Sequence, residues 1–195
     1  MRTPHRPSTR WLATAVATAA LVALASSCVL DPVHQSEVDA LGGEAPGVPE
    51  GPYHRAGQPC TICHGPEGPA HRTFSVAGTV FAAPNRTLGV EHAEILMVDS
   101  LGSSPPPGSV ITNCVGSFFV TPDVWQPAFP IRVAIAAGGS GAQMVGHIGR
   151  QGSCAFCHKD PSGLDSPGHV YVTSTAGAPS CPVSPVAGNG KQVTP

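Results

Sequence analysis

Glycine and proline interrupt this chain so often that long regular elements have little room to form: 23 glycines and 22 prolines stand among 195 residues. Each proline removes a backbone donor and fixes φ, and each interior glycine weakens a helix. Short apolar runs are what survive between the interruptions. With 5% aromatic and 11% charged residues, and no long stripe at helical period, the chain favours short strands joined by irregular connections.

Five such runs stand out. Thr73 to Phe81 alternates, with Phe74, Val76, Gly78 and Val80 expected to face one way. Ala93 to Asp99 (AEILMVD) is continuously apolar between turn residues. Gly116 to Thr121, Ile131 to Ala137 and His169 to Thr173 complete the set. Ser103 to Gly108 (SSPPPG) is expected as a loop, since consecutive prolines cannot donate to a ladder. The expected fold class is mainly β, a single β-sandwich over residues 53–175. Three stretches carry a further likeness: the Gly78-Thr79-Val80 strand end, the strand closing at Asp99 with Gly102 after it, and Thr112 leading through Gly116 to Phe118. Residues 74–137 thereby resemble a carboxypeptidase-regulatory or transthyretin-like sandwich. That resemblance implies an accessory module and no catalysis.

The N-terminus sets the compartment. Arg2, His5, Arg6 and Arg10 precede an apolar run from Trp11 to Ala25, which is shorter than the roughly 20 residues of a spanning helix. Residues 1–27 are expected to be a secretory signal peptide. Leu24-Ala25-Ser26-Ser27-Cys28 resembles a bacterial lipobox, with Leu one place further from the cysteine than usual. The resemblance implies that Cys28 is diacylated, becomes the mature N-terminus and anchors the protein to a membrane. Val29 in place of Asp after it implies the outer rather than the inner membrane. The alternative is an ordinary signal peptide with Cys28 an incidental thiol.

Cleavage before Cys28 leaves 168 residues with 7 basic against 12 acidic side chains, a net charge of −5 with neutral histidines. No basic patch remains for a nucleic-acid backbone. Residues 28–52, with Gly42-Gly43, Pro46, Pro49 and Pro52, read as a flexible tether. Residues 176–195 read as an irregular tail containing Cys181.

The chemistry lies in two motifs, Cys60-Thr-Ile-Cys63-His64 and Cys154-Ala-Phe-Cys157-His158. Cys-x-x-Cys-His is the c-type haem attachment signature: two thiols add to the vinyl groups on one porphyrin edge, and the adjacent histidine reaches iron. The chain thus resembles an exported c-type cytochrome with two haems c. The resemblance implies thioethers at Cys60, Cys63, Cys154 and Cys157, and proximal iron ligands at His64 and His158. Zinc binding by the four cysteines, thiol–disulfide redox centres and structural disulfides are the rival readings. None of them explains why both motifs end in histidine.

Setting aside Cys28 and the four motif cysteines leaves Cys114 and Cys181, expected to pair in an oxidising compartment. For the second iron ligands, His54 lies six residues before Cys60 and His147 seven before Cys154. This matching placement makes them the first choice. His71 and His169 follow, with His34, His92 and Met144 behind them, and Met97 reads as core. No catalytic set is visible; Glu67 and Asp160 read as solvated acids. The implied function is one-electron transfer to redox partner proteins on the periplasmic side of the cell envelope. Two other classes stay open: a non-redox lipoprotein binding module built on the sandwich, and a small haem peroxidase.

Overall fold

The computed structural model describes residues 31–44, 46–84, 87–173 and 181. The expected signal peptide, Cys28 and the tail apart from Cys181 lie outside them. The chain divides into two compact units, one ending at Ala40 and one beginning at Leu41.

Within the first unit, helix α1 spans Pro32–Ala40, where the sequence led us to expect a tether without regular structure. Its start has a local cause. Asp31 caps it, the side-chain Oδ1 accepting from the Val33 amide (2.9 Å) and the His34 amide (3.3 Å). Pro32 occupies the first helical position, where no donor is missed. None of its residues is buried. No helix among the described residues is long and apolar enough to cross a membrane.

The second unit is mainly β. Its strands are β1 (Val76–Thr79), β2 (Glu94–Val98), β3 (Ser117–Val120), β4 (Arg132–Ala137) and β5 (Ser140–Gln143). They form two antiparallel sheets, β1–β3 and β2–β4–β5. A five-residue helix, α2 (Cys60–His64), precedes β1, and a 3₁₀ turn, Cys154–Phe156, follows β5. In β2 the side chains alternate as a half-buried strand requires: Ile95 and Met97 are buried, Leu96 and Val98 exposed. Phe118 and Val120 of β3 likewise point inward, and Phe119 outward. Both sheets contribute to one core, in which Val76, Val80, Phe118, Ile95, Ile131 and Ile135 meet. Burying each such side chain contributes about 2 kcal/mol.

Three strand expectations need correction. First, β1 is buried at every position rather than on one face, and Phe74 lies outside it. Second, residues 169–173 form no strand; they run parallel beside Phe81, just past β1, and Phe81 donates to the Val170 carbonyl and accepts from the Val172 amide. Third, β5 went unread. It returns from β4 through Gly138-Gly139, both at positive φ (55° and 81°), with Ala137 opposite Ser140. Two residues at positive φ make the two-residue hairpin turn that suits strand twist.

The turn after β2 is built on Asp99, whose carboxylate accepts from the Leu101, Ser103 and Ala128 amides at 2.9, 2.8 and 3.0 Å. These donors, Ala128 foremost, hold its pKa below the usual 3.8. The Leu41–Glu44 stretch also departs from a free tether. Arg55 donates to the Leu41 and Gly42 carbonyls at 3.4 and 2.7 Å and to the Glu44 carboxylate at 2.7 Å, so folded contacts begin before residue 53. Cys114 and Cys181 are bonded to each other, with Cα atoms 5.3 Å apart.

Candidate functional site

The first motif forms α2 after a backbone turn at Pro59, with Ile62 inside the helix buried against the rest of the unit. Pro59 (φ −73°) precedes the helix without capping it by side chain, and its carbonyl accepts from the Ile62 amide. Ile62 is the helix's buried anchor. The chain then folds back, with the Ala70 amide donating to the Cys63 carbonyl and the Phe74 amide to the His64 carbonyl. This return sets the Arg72 carbonyl 2.7 Å from His64 Nδ1.

The second motif takes another local form. Only Cys154–Phe156 is helical, as a 3₁₀ turn, and the His158 amide donates to the Cys154 carbonyl. Ser166 closes the loop that follows. Its hydroxyl accepts from the Lys159 and Gly168 amides (2.7 and 3.1 Å) and donates to the Lys159 carbonyl (2.6 Å). The Gly168 carbonyl thereby sits 2.9 Å from His158 Nδ1. Each motif histidine thus offers Nδ1–H to a backbone carbonyl, which fixes the tautomer and leaves Nε2 for a metal.

Both motifs are seated on β1. The Gly57 amide donates to Thr79 Oγ1 (2.9 Å), the Ala77 amide to the Gly152 carbonyl (2.9 Å), and Ser153 bridges Ala77. Cys154 packs so closely on Gly78 that a Cβ there would lie 2.7 Å from its sulfur. Thr61 Oγ1 donates to Gln151 Oε1 at 2.7 Å, joining the motif segments across 90 positions. This double cover is why β1 has no exposed face. An expectation of alternation counts sheet and solvent, and misses a second layer laid on by distant loops.

The four motif cysteines are free thiols. Burial, opposed by a backbone hydrogen bond, pushes Cys60 up to about 11. Burial and then the neighbouring Cys60 push Cys154 up to about 12, and burial also raises Cys63. Reactive redox thiols are shifted the other way. Burial lowers the His64 pKa against the pull of the Arg72 carbonyl, keeping the ring in the neutral form that ligates metals. Its face stacks on Phe74 (4.1 Å, 12°), which stacks in turn on Phe119 (4.5 Å, 16°).

His54 lies beside the first motif, its ring centroid 5.9 Å from that of His64. His147 is exposed and lies in a hollow with Asp99, Ser100, Pro130 and Arg132; the lining of that hollow includes no residue of the second motif. His169 stacks on Phe81 at 4.2 Å, His71 and His92 are exposed, Met144 is half-buried and Met97 is core. Among the described residues no three His, Cys, Asp or Glu side chains gather as a metal cluster. A haem asks less of the protein, since the porphyrin brings four nitrogens of its own. Paired free thiols beside a histidine with Nδ1 tied off fit its attachment at both motifs. Phe74 was read only as a strand residue, and the site contacts of Thr61, Gln151, Ser166 and the Arg55–Glu44 pair escaped the sequence reading. Arg55, next to His54, carried some signal; Ser166 carried none.

No family model matches this chain, and neither a curated protein nor a solved structure matches it.

Proposed function

We propose that this chain is a two-haem c-type cytochrome of the cell envelope that transfers electrons one at a time. The observation that carries the reading is the like treatment of two motif histidines, His64 and His158, each held at Nδ1 by a returning carbonyl. Cys60 and Cys63 would hold one haem with His64 as ligand, and Cys154 and Cys157 the other with His158. The bound haem iron supplies a one-electron couple tuned by its axial ligands and burial. The protein's residues orient and tune: the Arg72 and Gly168 carbonyls fix the rings and raise their basicity, and Phe74 covers one face of His64. The two motif segments touch through Thr61 and Gln151, so haems held there would sit on neighbouring segments of the chain. At the first site His54, whose ring lies beside that of His64, would be the candidate for the second ligand.

The two sheets form one sandwich around their common core, with the haem-bearing segments laid over β1. Residues 1–27 direct export, and lipid on Cys28 holds the protein at the outer membrane, facing the periplasm. Its partners there are redox proteins. A non-redox binding module is the second reading, favoured by a hollow of about 440 Å³ lined by Leu96, Val98, Pro105, Pro106, Pro107 and Ala134.

Intact mass and a pyridine haemochrome spectrum of protein matured with the c-type haem machinery decide between them. Two haems per chain are expected, with Cys60→Ala losing the first site's normal attachment and keeping the second. A chain without covalent haem would leave the binding module.

A further inference from the structure

The outer face of the three-stranded sheet carries apolar side chains that the fold leaves uncovered. Along β2, Ile95 and Met97 turn into the core, so Leu96 and Val98 stand on the opposite face, 47% and 36% exposed. The register sets Ala134 of β4 opposite Leu96, Arg132 opposite Val98, and Gln143 of β5 beside Ala134. Pro105, Pro106 and Pro107 line the same trough, and a proline contributes no backbone donor. The trough holds about 440 Å³. That is within the range of small-molecule sites, which are mostly apolar with a few placed polar groups.

Its two ends differ in charge. At one end the Glu94 carboxylate accepts from the Gly108 amide at 3.2 Å, which ties the strand to the proline loop. At the other, Arg132 is exposed, and its guanidinium has no hydrogen-bond or ion-pair partner among the described residues. Arg132 and Val98 also border the adjoining hollow that holds Ser100 and His147, so this end opens onto polar surface. Asp99, the acid on that side, already accepts from three backbone amides. A guanidinium is a planar fork of donors that matches a carboxylate, and here it stands at the end of an apolar floor.

We propose that this trough binds a small amphiphile with an apolar tail and one carboxylate. The tail lies on Leu96, Val98 and the three prolines, and the carboxylate meets Arg132. The unpaired guanidinium attracts an anion at its end and Glu94 repels one at the other, so the ligand has a single direction. No residue of either Cys-x-x-Cys-His motif lines the trough. The proposal gives a ligand class to the hollow on which the second reading rests, and a haem count leaves it untouched.

The test is calorimetric titration of the full chain at neutral pH and low ionic strength, with octanoate, octanol and acetate as probes. Octanoate and octanol are expected to bind, and acetate, which has no tail, is not. Arg132→Gln is expected to weaken octanoate about fivefold, the range of an exposed ion pair. Octanol should bind that variant as it binds the parent, which shows the trough intact, and Arg132→Lys should keep part of the octanoate affinity. Leu96→Ser should weaken octanoate and octanol alike. Octanoate affinity that stays within twofold of the parent in Arg132→Gln overturns the proposal, as does a parent that binds no octanoate. Binding of a tri-leucine peptide without octanoate overturns it too, since Glu94 would then be holding a cation.

Discussion

The two Cys-x-x-Cys-His segments share a sequence pattern and reach the same histidine geometry by different routes. In the first, the motif is a helix and the loop behind it is closed by backbone alone, Ala70 to Cys63 and Phe74 to His64. In the second, the motif is a brief 3₁₀ turn and one serine side chain closes the loop. The first histidine is stacked and has a second imidazole beside it. What they share is a seat on β1 and a carbonyl on Nδ1. The motif thus fixes the chemistry, while its local conformation follows from whatever anchors the flanking chain.

That contrast breaks most sharply at the glycines that seat each motif. At Gly152 a Cβ would collide with the Ser75 carbonyl, which is backbone and cannot swing aside. Gly152→Ala should cost about 3 kcal/mol. Gly57 has φ +82°, and its Cβ would meet only the Phe81 ring at 3.1 Å. Gly57→Ala should cost about 1.5 kcal/mol, mostly for the left-handed backbone. Urea unfolding of the full chain measures both, and equal losses would mean that the two seats are alike after all.

Ser166 tests the difference in loop closure. It is 7% exposed, so Ser166→Ala strands the Lys159 amide and carbonyl and should cost about 2 kcal/mol. Amide exchange should quicken between residues 158 and 168 and stay slow between 64 and 74. Exchange rising equally in both loops would show them to be one cooperative unit.

Much of this was legible beforehand, for identifiable reasons. Four strands were readable because short apolar runs, among them those holding Ile95, Met97, Phe118, Val120 and Ile135, stand between turn residues. The Gly138-Gly139 turn announced β5 just as plainly, but an exposed strand lacks the apolar alternation by which strands are found. Asp31-Pro32 was a readable helix start overlooked for the same reason, since α1 buries nothing. Of the candidate site, the ten motif positions were visible as words in the chain. Their meeting on β1 was not, because Thr61 and Gln151 are 90 positions apart and neither has a periodic signal. His54 and His147 looked equivalent by spacing from their motifs, yet they have unlike surroundings; spacing along a loop says little about where the loop turns.

The smallest expected effect concerns the contact that joins the two regions. Thr61 donates to Gln151 at a half-buried point between the motif segments, so its loss should cost about 1 kcal/mol. Thr61→Val keeps the shape of the side chain and removes the donor; Gln151→Leu removes the acceptor. If the pair acts as one contact, the double variant should be little worse than either single one. A coupling energy of about 1 kcal/mol would then appear in the double-mutant cycle by urea unfolding. Costs that simply add would mean each side chain is held by its own segment. Two segments that met only through β1 would then be neighbours on one strand, with no direct link for their histidine sites to share.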